Sequence, residues 1–436
     1  TMEVAAAQLA MQDEQIGRVL AELDRMGLAS NTLVSIIQGD NGASAEAGPT
    51  GTINELRSMG RHDEDPAWLE ANTERLGGRM TYGAYPAGWT MAMNTPLPWM
   101  KQRASMLGAV RQGMILRWGT RAAKPGSVCG QFGHLVDLAP TIYEAVGVPA
   151  PGTVYGVAQK PMDGQSLLSS LQTCDAARPR TQYFEISGSV GLYHNGWFAS
   201  ADNGRAPWDV ASKRGGARPE VQWSLYDLTR DFSQSTDVAA ANPAKLAELQ
   251  AVWKREAERN NVFPLNHIFG PGRANAMARM GTRKQYDFWG KDVSIPAMNE
   301  PILMARSFTL TADLTLAKTE ASGAVVAMGS QFGGWSLWLD KGKPTFTWAR
   351  STDPKEITTV RAAQALPAGA NTLTLRFASQ GMGKGADVTL SAGGAELAKG
   401  ALPLNYLFPA GGGETLDIGR DLGVTEAPHP AGARHR

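Results

Sequence analysis

Asp40, Asn41 and Gly42 follow one another and bring a carboxylate and a carboxamide oxygen together on a short polar stretch. Two hard oxygen donors on adjacent residues suit calcium or magnesium rather than zinc. Such ions need more ligands than two side chains supply, so the pair can form only part of a cage. Asp-Asn-Gly is also an ordinary turn tripeptide, so its meaning depends on the element that presents it. The chain has two cysteines, Cys129 and Cys174. They lack a CxxC or Cys/His spacing for zinc and allow at most one disulfide, and they are expected to be plain core thiols. His62 sits in the charged run Arg61-His62-Asp63-Glu64-Asp65 and is expected to be a solvated loop residue, while His194 is expected at a hairpin turn.

The element that must present Asp40 and Asn41 is the run Leu33-Val34-Ser35-Ile36-Ile37, short, mostly apolar and rich in branched residues. It reads as a strand buried on both faces, as in parallel sheets, with the pair in the polar loop at its carboxyl end. Ligands of open α/β sheets bind at such ends. Before it, Leu9, Ile16, Val19, Leu20 and Leu23 recur at helical spacing over residues 4–26, and Gly27 is a plausible stop. Residues 43–108 show little periodicity and suggest long excursions over a pocket. Met114-Ile115-Leu116 is a second strand candidate, and Asp137 could cap a helix through Val146, closed by Gly147. Strand, loop, strand, helix is the grammar of an α/β fold.

Further on, Tyr183 to Ile186, a turn at His194-Asn195-Gly196 and Trp223 to Leu228 have a hairpin-like pattern, followed by a helix over residues 244–260. From Phe308, apolar Leu310, Ala312, Leu314 and Leu316 alternate strictly with polar residues, which predicts one buried face of a β-sheet. Asp340-Lys341-Gly342-Lys343 and Gly393-Gly394 are hairpin signals. The expected organisation is an α/β core over residues 1–260, a linker over 261–300, a β-sandwich over 301–425 and a disordered tail over 426–436.

Of 436 residues, 43% are hydrophobic and 19% charged, with a net charge of +1, which fits a well-buried globular protein. No basic stripe offers an electrostatic footprint for nucleic acid, and no run approaches the ~18 apolar residues of a membrane span. The opening Thr1-Met2-Glu3-Val4 runs directly into the helical pattern with no start region or signal peptide. It reads as the interior of a longer chain, and leaves the compartment, periplasmic or cytoplasmic, open.

Asn31-Thr32-Leu33-Val34 followed by Asp40-Asn41-Gly42-Ala43-Ser44 resembles a segment of the arylsulfatases, formylglycine-dependent members of the alkaline-phosphatase-like superfamily. The likeness continues through Asn54-Glu55-Leu56, Thr81-Tyr82, Gly88-Trp89, Asn94-Thr95-Pro96 with Lys101, and Phe132, His134, Asp137 and Ala139 to Ile142. Trp223 to Leu228, with Asp231 and Asp237, resembles the family's closing stretch, and Phe332 to Leu337 and Ile418 to Asp421 its accessory sandwich. The resemblance implies the C-terminal part of an alkaline-phosphatase-like sulfatase core followed by an all-β sandwich. It implies one calcium ion held in part by Asp40 and Asn41, and Lys101 on a sulfate oxygen and the bridging oxygen of the ester. Such cationic groups act by stabilising charge that develops on the leaving oxygen. His134 is not among the family's catalytic residues and is expected to be structural. Arg111 occupies a family-typical position, but Ala109 and Gly113 stand where the family has Gly and Pro.

The family makes its formylglycine from Cys or Ser in C/S-x-P-x-R, and no such motif is present. Cys174-Asp175-Ala176-Ala177-Arg178 lacks the proline and follows the Asp-Asn pair instead of preceding it. The formylglycine is therefore expected upstream of residue 1, and the chain is expected to be an inactive piece of a sulfuric ester hydrolase acting on a small-molecule or carbohydrate sulfate ester. One alternative is a phosphodiesterase or phosphonate monoester hydrolase of the same superfamily. Another is a non-catalytic carbohydrate-binding chain using Trp335, Trp338 and Trp348, which are favoured as packing residues.

Overall fold

The computed structural model describes residues 1–422, apart from 56–63, 122–125, 175–177, 209–221, 266–282, 291, 297–298, 302, 304–305, 331, 382 and 405–413. His62, the tail over 426–436 and much of the linker region therefore lie outside the described residues. The chain divides into two compact units. One combines residues 2–45 and 88–268, and the other Thr1, residues 46–87 and 269–436. Residues 46–87, part of the expected core segment, thus group with the C-terminal unit.

In the first unit, helix α1 (Met2–Arg25) ends at Gly27, which adopts the left-handed φ of +69° that favours glycine. Ile16, Leu20 and Leu23 form its half-buried stripe, whereas Leu9 and Val19 are exposed. Strand β1 (Leu33–Ile37) pairs antiparallel with β2 (Met114–Trp118), Leu33 opposite Trp118 and Ile37 opposite Met114. This corrects the expectation of a strand buried on both faces as in a parallel sheet. Among the described residues, β1 and β2 form a two-stranded sheet. With one neighbour each, they leave Ser35 and Ile115 exposed.

Helix α2 (Ala87–Asn94) lies between β1 and β2 in the chain, and α3 (Leu138–Val146) follows them, closed by Gly147 in the left-handed region as its sequence suggests. A meander of four antiparallel strands comes next: β3 (Thr181–Ile186), β4 (Ser189–His194), β5 (Trp197–Ala201) and β6 (Trp223–Asp227). Asn195 and Gly196, both at positive φ, make the tight β4–β5 turn. One face of this sheet carries Val190, Leu192 and Leu225 against Leu249, Trp253 and Ala257 of α4 (Pro243–Arg259).

The second unit is dominated by a β-sandwich. Its strands are β7 (Val293–Pro296), β8 (Phe308–Leu316), β9 (Gly323–Ser330), β10 (Gly333–Asp340), β11 (Lys343–Ala349), β12 (Ile357–Arg361), β13 (Gly369–Ser379), β14 (Ala386–Ala392), β15 (Ala395–Leu402) and β16 (Thr415–Ile418). One sheet has the order β8-β13-β14-β15, the other β12-β11-β10-β9-β16-β7. The alternation read in β8 appears as alternating half-buried and exposed residues. Lys341-Gly342 and Gly393-Gly394 form two-residue turns, all at positive φ. Leu337, Phe346, Leu373, Leu375 and Leu390 are fully buried between the sheets. Within the same unit, Asn54 donates from Nδ2 to the Phe332 carbonyl at 3.0 Å, and Tyr82 stacks on Phe332.

Candidate functional site

Asp40 and Asn41 follow β1 by a few residues, and the loop that carries them is fixed by main-chain contacts. Gln38 N–H donates to the Gly113 carbonyl at 3.0 Å and Gly42 N–H to the Ala109 carbonyl at 2.9 Å. Gly42 has no alternative, because a Cβ there would lie 1.7 Å from the Gly108 oxygen. Gly108 is equally constrained, since its Cβ would fall 2.3 Å from the carbonyl oxygens of Pro98 and Trp99. The Asp40–Ala43 loop and the 98–109 loop thus meet backbone to backbone. This is the close approach that glycine permits.

Lys101 belongs to that second loop, and its N–H donates to the Ala43 carbonyl at 3.2 Å. Trp99 and Gln102, on either side of it, hold φ of +63° and +80°, costly for residues with a Cβ. Such backbone persists where its surroundings over-determine it, and here they do. Arg103 lies over the Trp99 ring with its guanidinium carbon 3.4 Å from the centroid. It also donates from Nη2 to the Arg205 carbonyl at 2.8 Å and faces Asp202 at 3.5 Å. Ser105, fully buried, donates from Oγ to Asp202 at 2.7 Å and accepts from Ser189 Oγ at 2.9 Å. Gln234 Nε2 donates to the Ser105 carbonyl, and its Oε1 accepts from Leu107 N–H. Burial holds the Arg103 pKa below its usual value, with Asp202 opposing that shift and Arg205 adding to it.

Asp40, Asn41 and Lys101 line one cavity of about 490 Å³, together with Arg103, His134 and Arg259. Strand β3, at the edge of its sheet, forms another part of the wall. His134 has a structural post. Its Nδ1 accepts from Val136 N–H at 3.3 Å, and its own N–H donates to Asp137 Oδ2 at 3.0 Å. Burial, then the positive Arg180, depress its pKa from 6.5 against the pull of Asp137. Asp137 precedes α3 as expected, but its side chain makes no cap bond to that helix. Instead this fully buried carboxylate pairs with Arg180 at 3.0 Å and accepts from Gln165 N–H at 2.9 Å. Arg111 donates to the Phe232 carbonyl at 3.2 Å and lies over the Phe232 ring.

Asn41 Nδ2 donates to the Gly42 carbonyl, which leaves Oδ1 as the remaining polar atom of its side chain. The donors Asp40 and Asn41 thus match a hard cation in kind but fall short of its ligand number. Among the described residues, no group of three or more His, Cys, Asp or Glu side chains could hold a metal ion. The cysteines are not the expected core thiols. Cys129 and Cys174 form a disulfide, their Cα atoms 5.0 Å apart, because the loop before His134 runs beside the end of the short helix Leu168–Gln172. Neither can serve as a formylglycine precursor while so paired. Trp335, Trp338 and Trp348 are 7–8% exposed and so are packed, leaving no faces for a sugar.

The residues that escaped sequence reasoning are Arg103, Ser105, Asp202 and Gln234. Their only signal is the proximity of the first two to Lys101 in the chain. Their partners come from strands and turns about a hundred residues away, and pairing of that kind leaves no local pattern.

A sulfatase family model matches residues 2–148. An uncharacterized sulfatase of Schizosaccharomyces pombe is 26% identical over 265 residues, covering 58% of this chain and 42% of that protein. The arylsulfatase of Klebsiella aerogenes is 24% identical over 189 residues, 43% of this chain and 37% of that one. The chain therefore spans less than half the length of either relative. Among solved structures, Ps i-CgsB in complex with k-i-k-neocarrahexaose is similar at a TM-score of 0.37 and 17% identity, over 62% of this chain and 46% of that one. Residues 2–148 are thus similar to the sulfatase family.

Proposed function

We propose that this chain supplies one part of an arylsulfatase-type active site, with Asp40 and Asn41 on a calcium ion and Lys101 on the sulfate group of an organic sulfate monoester. The observation that carries the reading is that the adjacent Asp40 and Asn41 and the remote Lys101 line a single cavity in a chain whose residues 2–148 match a sulfatase family model. When bound, the ion would supply fixed positive charge toward a sulfate oxygen. The Lys101 ammonium would donate to the sulfate and to the bridging oxygen, where negative charge grows as the ester bond breaks. A donor pre-placed there favours the transition state over the ground state. The nucleophile and the remaining metal ligands would come from sequence outside these 436 residues, because no C/S-x-P-x-R motif occurs within them.

The test is hydrolysis of an aryl sulfate by a longer polypeptide that joins this chain to a sulfatase segment bearing C/S-x-P-x-R. Calcium-dependent sulfate release should fall by about 10²–10³ in kcat for Lys101→Ala, and the calcium requirement should rise for Asp40→Ala and Asn41→Ala. Faster turnover of a phosphate diester than of the sulfate would instead assign the site to a phosphodiesterase.

A further inference from the structure

Asn94, the last residue of α2, touches both loops that build the candidate site. Its Oδ1 accepts the Ala43 N–H at 3.2 Å, two residues beyond Asn41. Its Nδ2 donates to the Trp99 carbonyl at 2.8 Å, two residues before Lys101. The Ala43 carbonyl in turn accepts the Lys101 N–H. These bonds close a short circuit running from Asn94 to Ala43, on to Lys101 and back through Trp99. The Trp99 carbonyl belongs to a residue at φ +63°, a conformation that relaxes unless held. Beside it, Gly42 and Gly108 are in direct backbone contact, and Asn94 Nδ2 would lie only 3.1 Å from a Cβ on Gly42. There is little slack in which either loop could shift without the other.

We propose that Asn94 is a positioning residue that sets the Lys101 loop against the Asp40–Asn41 loop, acting through the backbone of Ala43 and Trp99 and not by touching a substrate. The catalytic meaning of that spacing rests on the sulfatase reading of the site, but the coupling itself is a property of this chain. The amide side chain serves both loops at once, its oxygen accepting from one and its NH2 donating to the other.

Amide hydrogen exchange of the 436-residue chain tests this without calcium, sulfate or turnover, so a failed sulfatase reading would not disguise the result. In Asn94→Ala the Ala43 and Lys101 amides should both exchange at least about tenfold faster, while Leu192 and Ala199 in the small sheet stay protected. Asn94→Asp keeps an acceptor and loses the donor. It should restore protection at Ala43 but not at Lys101, a split that a general loss of stability cannot produce. Unchanged Lys101 exchange in Asn94→Ala, or equal acceleration at Leu192, would overturn the proposal. So would equal rescue of both amides by Asn94→Asp.

Discussion

In the β-sandwich, Leu337, Phe346, Leu373 and Leu375 are fully buried, whereas in the α1 and β1–β2 region Leu9, Val19 and Ile115 are 52%, 63% and 61% exposed. Both regions carry apolar residues at the proper period for their elements. In the sandwich, each sheet covers the face the other presents, so periodicity becomes burial. In α1 and β2 the same kind of pattern is covered only in part among the described residues, with Ile16, Leu20 and Leu23 half-buried and Leu9 and Ile115 exposed. An apolar period therefore specifies which face wants a neighbour, but the neighbour must be supplied by other sequence. This contrast fits the proposal that sequence outside the chain completes the sulfatase core.

If the open face reflects missing cover and not a loose unit, the interior that the first unit does possess must be intolerant of change. Asp137→Ala leaves the Arg180 guanidinium, 5% exposed, without its carboxylate. Loss of one partner of a buried pair costs about 3–5 kcal/mol. Urea unfolding followed by fluorescence should show a loss of that size, and a loss below about 1 kcal/mol would mean the unit is not packed as described.

The comparison sharpens with a matched pair of truncations. Leu375→Ala in the sandwich should cost about 2–5 kcal/mol, while Leu9→Ala in α1 should fall within about 0.5 kcal/mol of no change. Equal costs would break the contrast. A smaller effect should appear with pH. His134 has a depressed pKa in the folded chain, so below about 6.5 the unfolded state binds the extra proton first and stability declines as pH falls. Below the folded value both states are protonated and the decline stops. Urea midpoints measured across this range should lose that dependence in His134→Gln.

Much of the fold was legible in the sequence because its signals are local. The β8 alternation, the Lys341-Gly342 and Asn195-Gly196 turns, and Gly27 and Gly147 as helix stops each depend on a few neighbouring residues. The β1 environment was not, because Leu33 to Ile37 looks the same whether its neighbours run parallel or antiparallel and whether one or two are present. Asp40, Asn41 and Lys101 stood out through family likeness, and Asn94 only as part of that likeness. Its two-sided role depends on loops that meet in space. The Cys129–Cys174 pairing was likewise beyond reach, since spacing alone does not say which loops run side by side.

The most direct measurement is turnover of a chromogenic aryl sulfate by the purified 436-residue chain in excess calcium. A site holding Asp40, Asn41 and Lys101 but lacking a nucleophile should release no sulfate above the uncatalysed rate. Appreciable turnover that disappears in Lys101→Ala would contradict the proposal that the nucleophile lies outside this chain.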